Sequence, residues 1–172
     1  MKCYCFEEFD SKKKYSDFVD YMLTHSDTFS LVYFKYNESE KVKKSVKEIQ
    51  NLLKPYKIFS VNGNQWPSTI THNEFNHIYK ITLYSAHSES KNALLKANGI
   101  FDWDYPKFPM DLCFYKNGYA WFSSSSHEYY AEIVLDDKKF FSELTNLGAV
   151  LHYERDIDES KLFLEKSLKE KH

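Results

Sequence analysis

Arginine is nearly absent from this chain: its 172 residues hold 22 lysines but one arginine, Arg155. A bidentate grip on phosphate, carboxylate or guanine is chiefly arginine chemistry. The scarcity argues against base readout and against an arginine-built phosphate clamp. Net charge is −2, with acids and bases interspersed, which leaves no basic face for nucleic acid. Glycine is scarce too. The four glycines, at 63, 99, 118 and 148, are scattered, and no glycine-rich phosphate loop can be built from them. Three cysteines, Cys3, Cys5 and Cys113, cannot all pair, and no completing ligand pattern accompanies them. Neither a disulfide nor a metal site is expected. No apolar run approaches a membrane span, and Met1-Lys2 leads into Cys3-Tyr4-Cys5-Phe6 and acids rather than a signal-peptide core. These absences point to a cytoplasmic protein with reduced thiols, no cofactor, and neither nucleic acid nor membrane as partner.

What the chain has is aromatic residues, 14 Tyr, 14 Phe and 3 Trp, enough to build a core from few, large side chains. The abundance of Lys, Asn, Tyr, Phe and Ile also follows from AT-rich coding, as in a low-GC bacterium or its phage. Residues 12–25 place Tyr15, Phe18, Val19, Met22 and Leu23 at helical spacing behind a capping Ser11. Residues 28–36 are apolar on both alternating faces, as in a central strand. Helix 39–53 is stopped by Pro55. A strand at 56–61, a long irregular stretch from Asn62 to Phe75, a strand at 77–85 and a short helix at 88–98 follow. After a Pro-punctuated aromatic loop at 101–109 come a hairpin, a third strand, a helix capped by Asp136, a strand at 149–154 and a charged helix at 158–170. The order predicts an α+β fold: one domain over 1–155 with a mixed or mainly antiparallel sheet, a C-terminal β-meander and helices mostly on one face. Residues 156–172 are expected to be a helical appendage.

The most informative stretch is 109–135. Asn117-Gly118 between apolar runs marks a two-residue turn, because both residues tolerate positive φ. An uninterrupted register from that turn sets Phe114 opposite Trp121, Leu112 opposite Ser123 and Asp111 opposite Ser124. It gathers Asp111, the serines 123–126, His127 and Glu128 at one end of the sheet. Ser124, His127 and Asp111 are of the types that make a nucleophile, base and orienting acid, although no Gly-x-Ser-x-Gly elbow accompanies them and serines at turns usually bond local backbone. Trp66, Trp103, Tyr105 and Phe108 sit in loops rather than at periodic core positions, where aromatics anchor interfaces or stack on planar ligands.

The segment MDLCFYKNGYAWFSSSSHE, with Trp66-Pro67 upstream, resembles a family of small uncharacterised bacterial proteins, some of which carry a stage III sporulation label. The resemblance is loose over most of the chain and best over 66–135. It implies that Trp66, His127 and Glu128 act together, in proteins of an immunity type. The leading expectation is a non-enzymatic binding protein of the immunity or conflict-system kind that occludes a protein partner, through Trp66, His72, Trp103, Tyr105, His127 and Glu128. The alternative is a binder of a small planar, nucleotide-like ligand at Trp66, His127 and Glu128. The third is a hydrolase using a serine, His127 and Asp111. A cavity beside Trp66 would favour the small ligand, and a flat exposed aromatic patch the protein partner.

Overall fold

The computed structural model describes residues 1–34, 43–70 and 79–170. Strands β1 (Lys2–Phe6), β2 (Thr28–Phe34), β3 (Lys57–Gly63), β6 (Tyr79–Ser85), β7 (Met110–Lys116), β8 (Tyr119–Ser125), β9 (Tyr130–Leu135) and β10 (Leu151–Asp156) form an eight-stranded sheet. Its order is β10-β1-β9-β8-β7-β2-β6-β3, and every pairing is antiparallel. The short strands β4 (Gln65–Trp66) and β5 (Thr69–Ile70) make a separate hairpin. The fold is thus α+β on a single sheet. The expected meander is β7-β8-β9, and it lies at the centre of the sheet.

Helices α1 (Lys12–His25), α2 (Lys44–Leu53), α3 (Lys91–Leu94) and α4 (Lys138–Asn146) cover one face. Their apolar stripes meet the strand residues that point the same way: Phe18, Ile49, Leu94 and Leu144 join Phe6, Phe29, Phe114 and Phe122 in one buried cluster. Phe6, Phe18 and Phe122 touch edge-on or tilted, with ring centres 5.1 to 5.7 Å apart. Such geometry adds to the area they bury. Ser11 caps α1 by accepting the Lys14 amide. α4 is capped by Asp137, not Asp136 as expected, since it is Asp137 that accepts from the Lys139 amide.

The opposite face is only partly roofed. A smaller cluster there joins Val32, Ile81, Leu83, Cys113 and Tyr115 of the sheet to Trp66 of the β4–β5 hairpin and to Leu168. Among the described residues two pieces do the covering: that hairpin, which crosses the sheet as a strap, and the segment around Leu168.

The end of the chain is not the expected helix over 158–170. A single 3-10 turn spans Glu159–Lys161, the next residues are extended, and only Ser167–Glu170 (α5) are helical. The extended part lies beside the first residues of β8: Ala120 donates to the Phe163 carbonyl, and Glu165 donates to that of Gly118. β9 pairs with β8 only from Phe122 onward. The start of β8 would otherwise present unpaired backbone groups, which are costly when buried. This need for a distant partner overrides the local helix pattern.

The hairpin register departs from the expected one. The turn is as read, with Asn117 and Gly118 at positive φ, and Lys116 and Tyr115 face Tyr119 and Ala120. Beyond it, however, Phe114 faces Phe122 and Cys113 faces Ser123. Trp121 is the extra residue of a β-bulge, so it does not oppose Phe114. Its side chain is still buried, with Nε1 donating to Ser26 Oγ at 2.9 Å. The bulge lets Trp121 and Phe122, neighbours in sequence, both face the helices.

Candidate functional site

A second bulge shapes the site. Between the pairs Val32–Met110 and Ser30–Cys113, β2 has one residue and β7 has two. The first of the two, Asp111, has φ +53°. This is a bulge of the kind that ordinarily takes glycine at the left-handed position, and Asp is among the few other residues that tolerate it. The turned backbone brings both Met110 and Asp111 to the open side of the sheet. Asp111 is 2 % exposed. One carboxylate oxygen accepts from Trp66 Nε1 on the strap and the other from the Ser126 amide, both at 2.8 Å. Burial raises the Asp111 carboxyl above the ordinary aspartate range, against the two donors and the field of His127, with Asp104 adding to the rise.

Around this carboxylate is a recess of about 240 Å³. Trp66, Tyr79 and Met110 give it apolar walls, and the Trp66 and Tyr79 rings meet edge-on at 5.0 Å. Asp104, Asp111, Ser125, His127 and Glu128 supply polar groups. Ser125 Oγ donates to Glu128 at 2.9 Å, and His127 Nε2 lies 3.8 Å from the other Glu128 oxygen, both of these side chains being exposed. Asp111 and His127 thus come together at one end of the sheet, as the turn implied.

A larger recess of about 430 Å³ lies on the other side of the strap. Its floor is a hydrogen-bonded network centred on Glu132. Ser68 Oγ contacts Ser123 Oγ at 2.6 Å and donates to Glu132 Oε1 at 3.1 Å. Arg155, Tyr130 and Cys3 all donate to Glu132 Oε2, and Arg155 also holds Glu154 at 2.8 Å. Burial pushes Glu132 up, but its donors, led by Arg155, outweigh it and leave the carboxyl below the ordinary range. Cys3, Glu132 and Glu154 could crowd round one ion. Arg155 already neutralises both carboxylates, and burial beside Glu132 pushes the Cys3 thiol up to about 12, far from the thiolate a metal needs. Ser68, Glu132 and Arg155 were not singled out by sequence as a group. The one usable signal was Arg155 itself, the lone arginine of a lysine-rich chain.

Other expected site residues fall elsewhere. Ser124 is fully buried on the helical side, where its hydroxyl donates to the Leu112 carbonyl at 3.1 Å. The bulge and the period-2 alternation turn it away from His127. Among the described residues no serine hydroxyl hydrogen-bonds His127, so the Ser-His-Asp arrangement is not formed. Trp103 is a core residue, 0 % exposed, with Nε1 donating to Tyr15 Oη at 2.9 Å. Tyr105 is half-buried against Phe34. His72 lies outside the described residues. Trp66 and Trp103 therefore do not form the flat exposed aromatic patch that a partner-occluding surface would need. Among the described residues no helix is long and apolar enough to cross a membrane.

Comparison with protein-family models, with curated proteins and with solved structures finds no match. The chemistry of the site is defined by its own residues.

Proposed function

We propose that this protein is a non-enzymatic binder of a small molecule, held in the recess between the strap and the end of β7 and β8. The observation that carries this reading is a cavity of about 240 Å³ beside Trp66 with the buried Asp111 carboxylate in its wall. Concave sites where apolar walls meet convergent polar groups are the common form of small-ligand sites, and this one is weighted toward the polar groups. The volume suits a compact metabolite rather than a dinucleotide. His127 and Glu128 stand at the exposed rim, where they can contact a ligand without supporting the core.

The test is a small-molecule panel read by the Trp66 indole N–H resonance, which reports on the wall directly because it is bonded to Asp111. Binders from the panel should shift that resonance. His127→Ala should weaken them about tenfold or more, the scale of losing one hot-spot contact, and should leave the melting temperature close to that of the unaltered chain. Binders that move only resonances of α4 or the chain end would place the site elsewhere.

A further inference from the structure

The geometry points to an organic cation, an ammonium or amidinium group on a small planar or apolar body, as the ligand of this recess. The inference rests on the reading above and adds the ligand's charge. Among the described residues three carboxylates line the cavity, those of Asp104, Asp111 and Glu128, and neither a lysine nor an arginine does. Asp111 is the telling one. Elsewhere the protein gives its enclosed carboxylate a cation, as Arg155 does for Glu132. Asp111, with 2 % of its surface exposed, has two neutral N–H donors and no ion pair among the described residues. A buried charge without a partner is strongly unfavourable, and a cation brought in from outside relieves it.

A second, independent observation lies in the same wall. Thr69 Oγ1 is shielded from solvent and has no hydrogen-bond partner among the described residues. Buried hydroxyls are normally satisfied, and Thr69 stands in the wall between this recess and the larger one. An ammonium has three donors and no acceptor. The Trp66 and Tyr79 rings in the wall add π faces, the electron-rich surface that favours cations. The same carboxylates disfavour phosphate or carboxylate ligands, so a nucleotide is the wrong charge for this cavity.

Three probes on one phenyl body separate the possibilities: benzylammonium, benzyl alcohol and benzoate, titrated at millimolar concentration into the intact protein with the Trp66 indole resonance as reporter. Benzylammonium should bind about tenfold more tightly than benzyl alcohol, the worth of one added charge-assisted contact, and benzoate should not bind. Asp111→Asn should abolish the preference. Because Asp111 also fastens the strap, Glu128→Gln and Asp104→Asn serve as companions at the rim. Each should lower benzylammonium affinity about threefold and leave benzyl alcohol unchanged. Equal binding of the alcohol, or binding of benzoate, would overturn the cation while leaving a ligand-binding recess in place. Silence of the Trp66 resonance to all three probes would overturn both.

Discussion

Burial pushes two carboxylates on the open face up, yet their net shifts run in opposite directions. Glu132 collects donors from Arg155, Tyr130, Cys3 and Ser68, and its folded form favours the charge. Asp111 has fewer donors and more burial, and its folded form favours the proton. A depressed glutamate contributes stability that is present above its unfolded value of about 4.3 and is lost as pH falls through the folded value. Asp111 has the reverse sign: its contribution is fullest below about 3.9 and is lost as pH rises through the elevated folded value. Glu132→Gln should therefore destabilise the protein by about 2 kcal/mol at neutral pH, the scale of losing a charged hydrogen-bond acceptor. Denaturant unfolding at pH 7 and again near pH 3 should show the gap to the unaltered chain closing in acid. A gap that stays constant would mean that the Glu132 charge is not what Arg155 and Tyr130 hold. Neither carboxylate's role is legible in sequence: Glu132 reads as the polar position of an alternating strand, and only Ser68 of the strap and Arg155, reaching across β1 from β10, make it a half-buried hub.

At the scale of elements, the helices and the central hairpin are legible and the irregularities that build the site are not. Helix α1 announces itself by the spacing of Tyr15, Phe18, Val19, Met22 and Leu23, all buried as expected, because a 3.6-residue period is a local property. The two bulges, at Asp111 and Trp121, break a period of two by one residue each, and counting outward from Asn117-Gly118 cannot detect an extra residue that tertiary packing imposes. The strap is a further case. Trp66-Pro67-Ser68-Thr69 turns with Pro at the second position and Ser68 at φ +59°, a place that favours Gly or Asn. Serine is explained there by its hydroxyl, which fastens the strap to Ser123 and Glu132. Ser68→Gly and Ser68→Ala both remove that hydroxyl, but only alanine keeps a Cβ in the left-handed region. Both should lower stability, with alanine about 1 kcal/mol worse than glycine. Equal melting temperatures for the two variants would show that the turn relaxes to negative φ once the hydroxyl is gone.

At the scale of the whole molecule, the sheet is closed on its open face by segments far apart in sequence, and the chain end is the most exposed to test. Met1 and Ile157 bond to each other's backbone, so the fold up to β10 is tied together before the last segment begins. Residues 162–168 then lie along the start of β8, bury Leu168 in the smaller apolar cluster, and contribute Leu162 and Phe163 to the wall of the larger recess. Glu165 bonds Thr28 on the neighbouring region of the sheet. The stretch around Leu164 acts as a short surrogate strand, and the spacing of Leu162, Leu164 and Leu168, which reads as a helix stripe, is not used as one: Leu162 is half-buried, Leu164 is exposed, and Leu168, in α5, is fully buried. Deleting residues 159–172 should uncover the backbone of Tyr119–Trp121 and the seat of Leu168. The loss of one fully buried leucine alone costs about 2–5 kcal/mol, and an uncovered strand recruits another strand. The shortened chain should melt well below the full one and sediment as larger species, while added peptide spanning residues 159–170 should restore both properties. An unchanged melting temperature and unchanged sedimentation would mean that the segment is an appendage after all and that β8 tolerates an open edge.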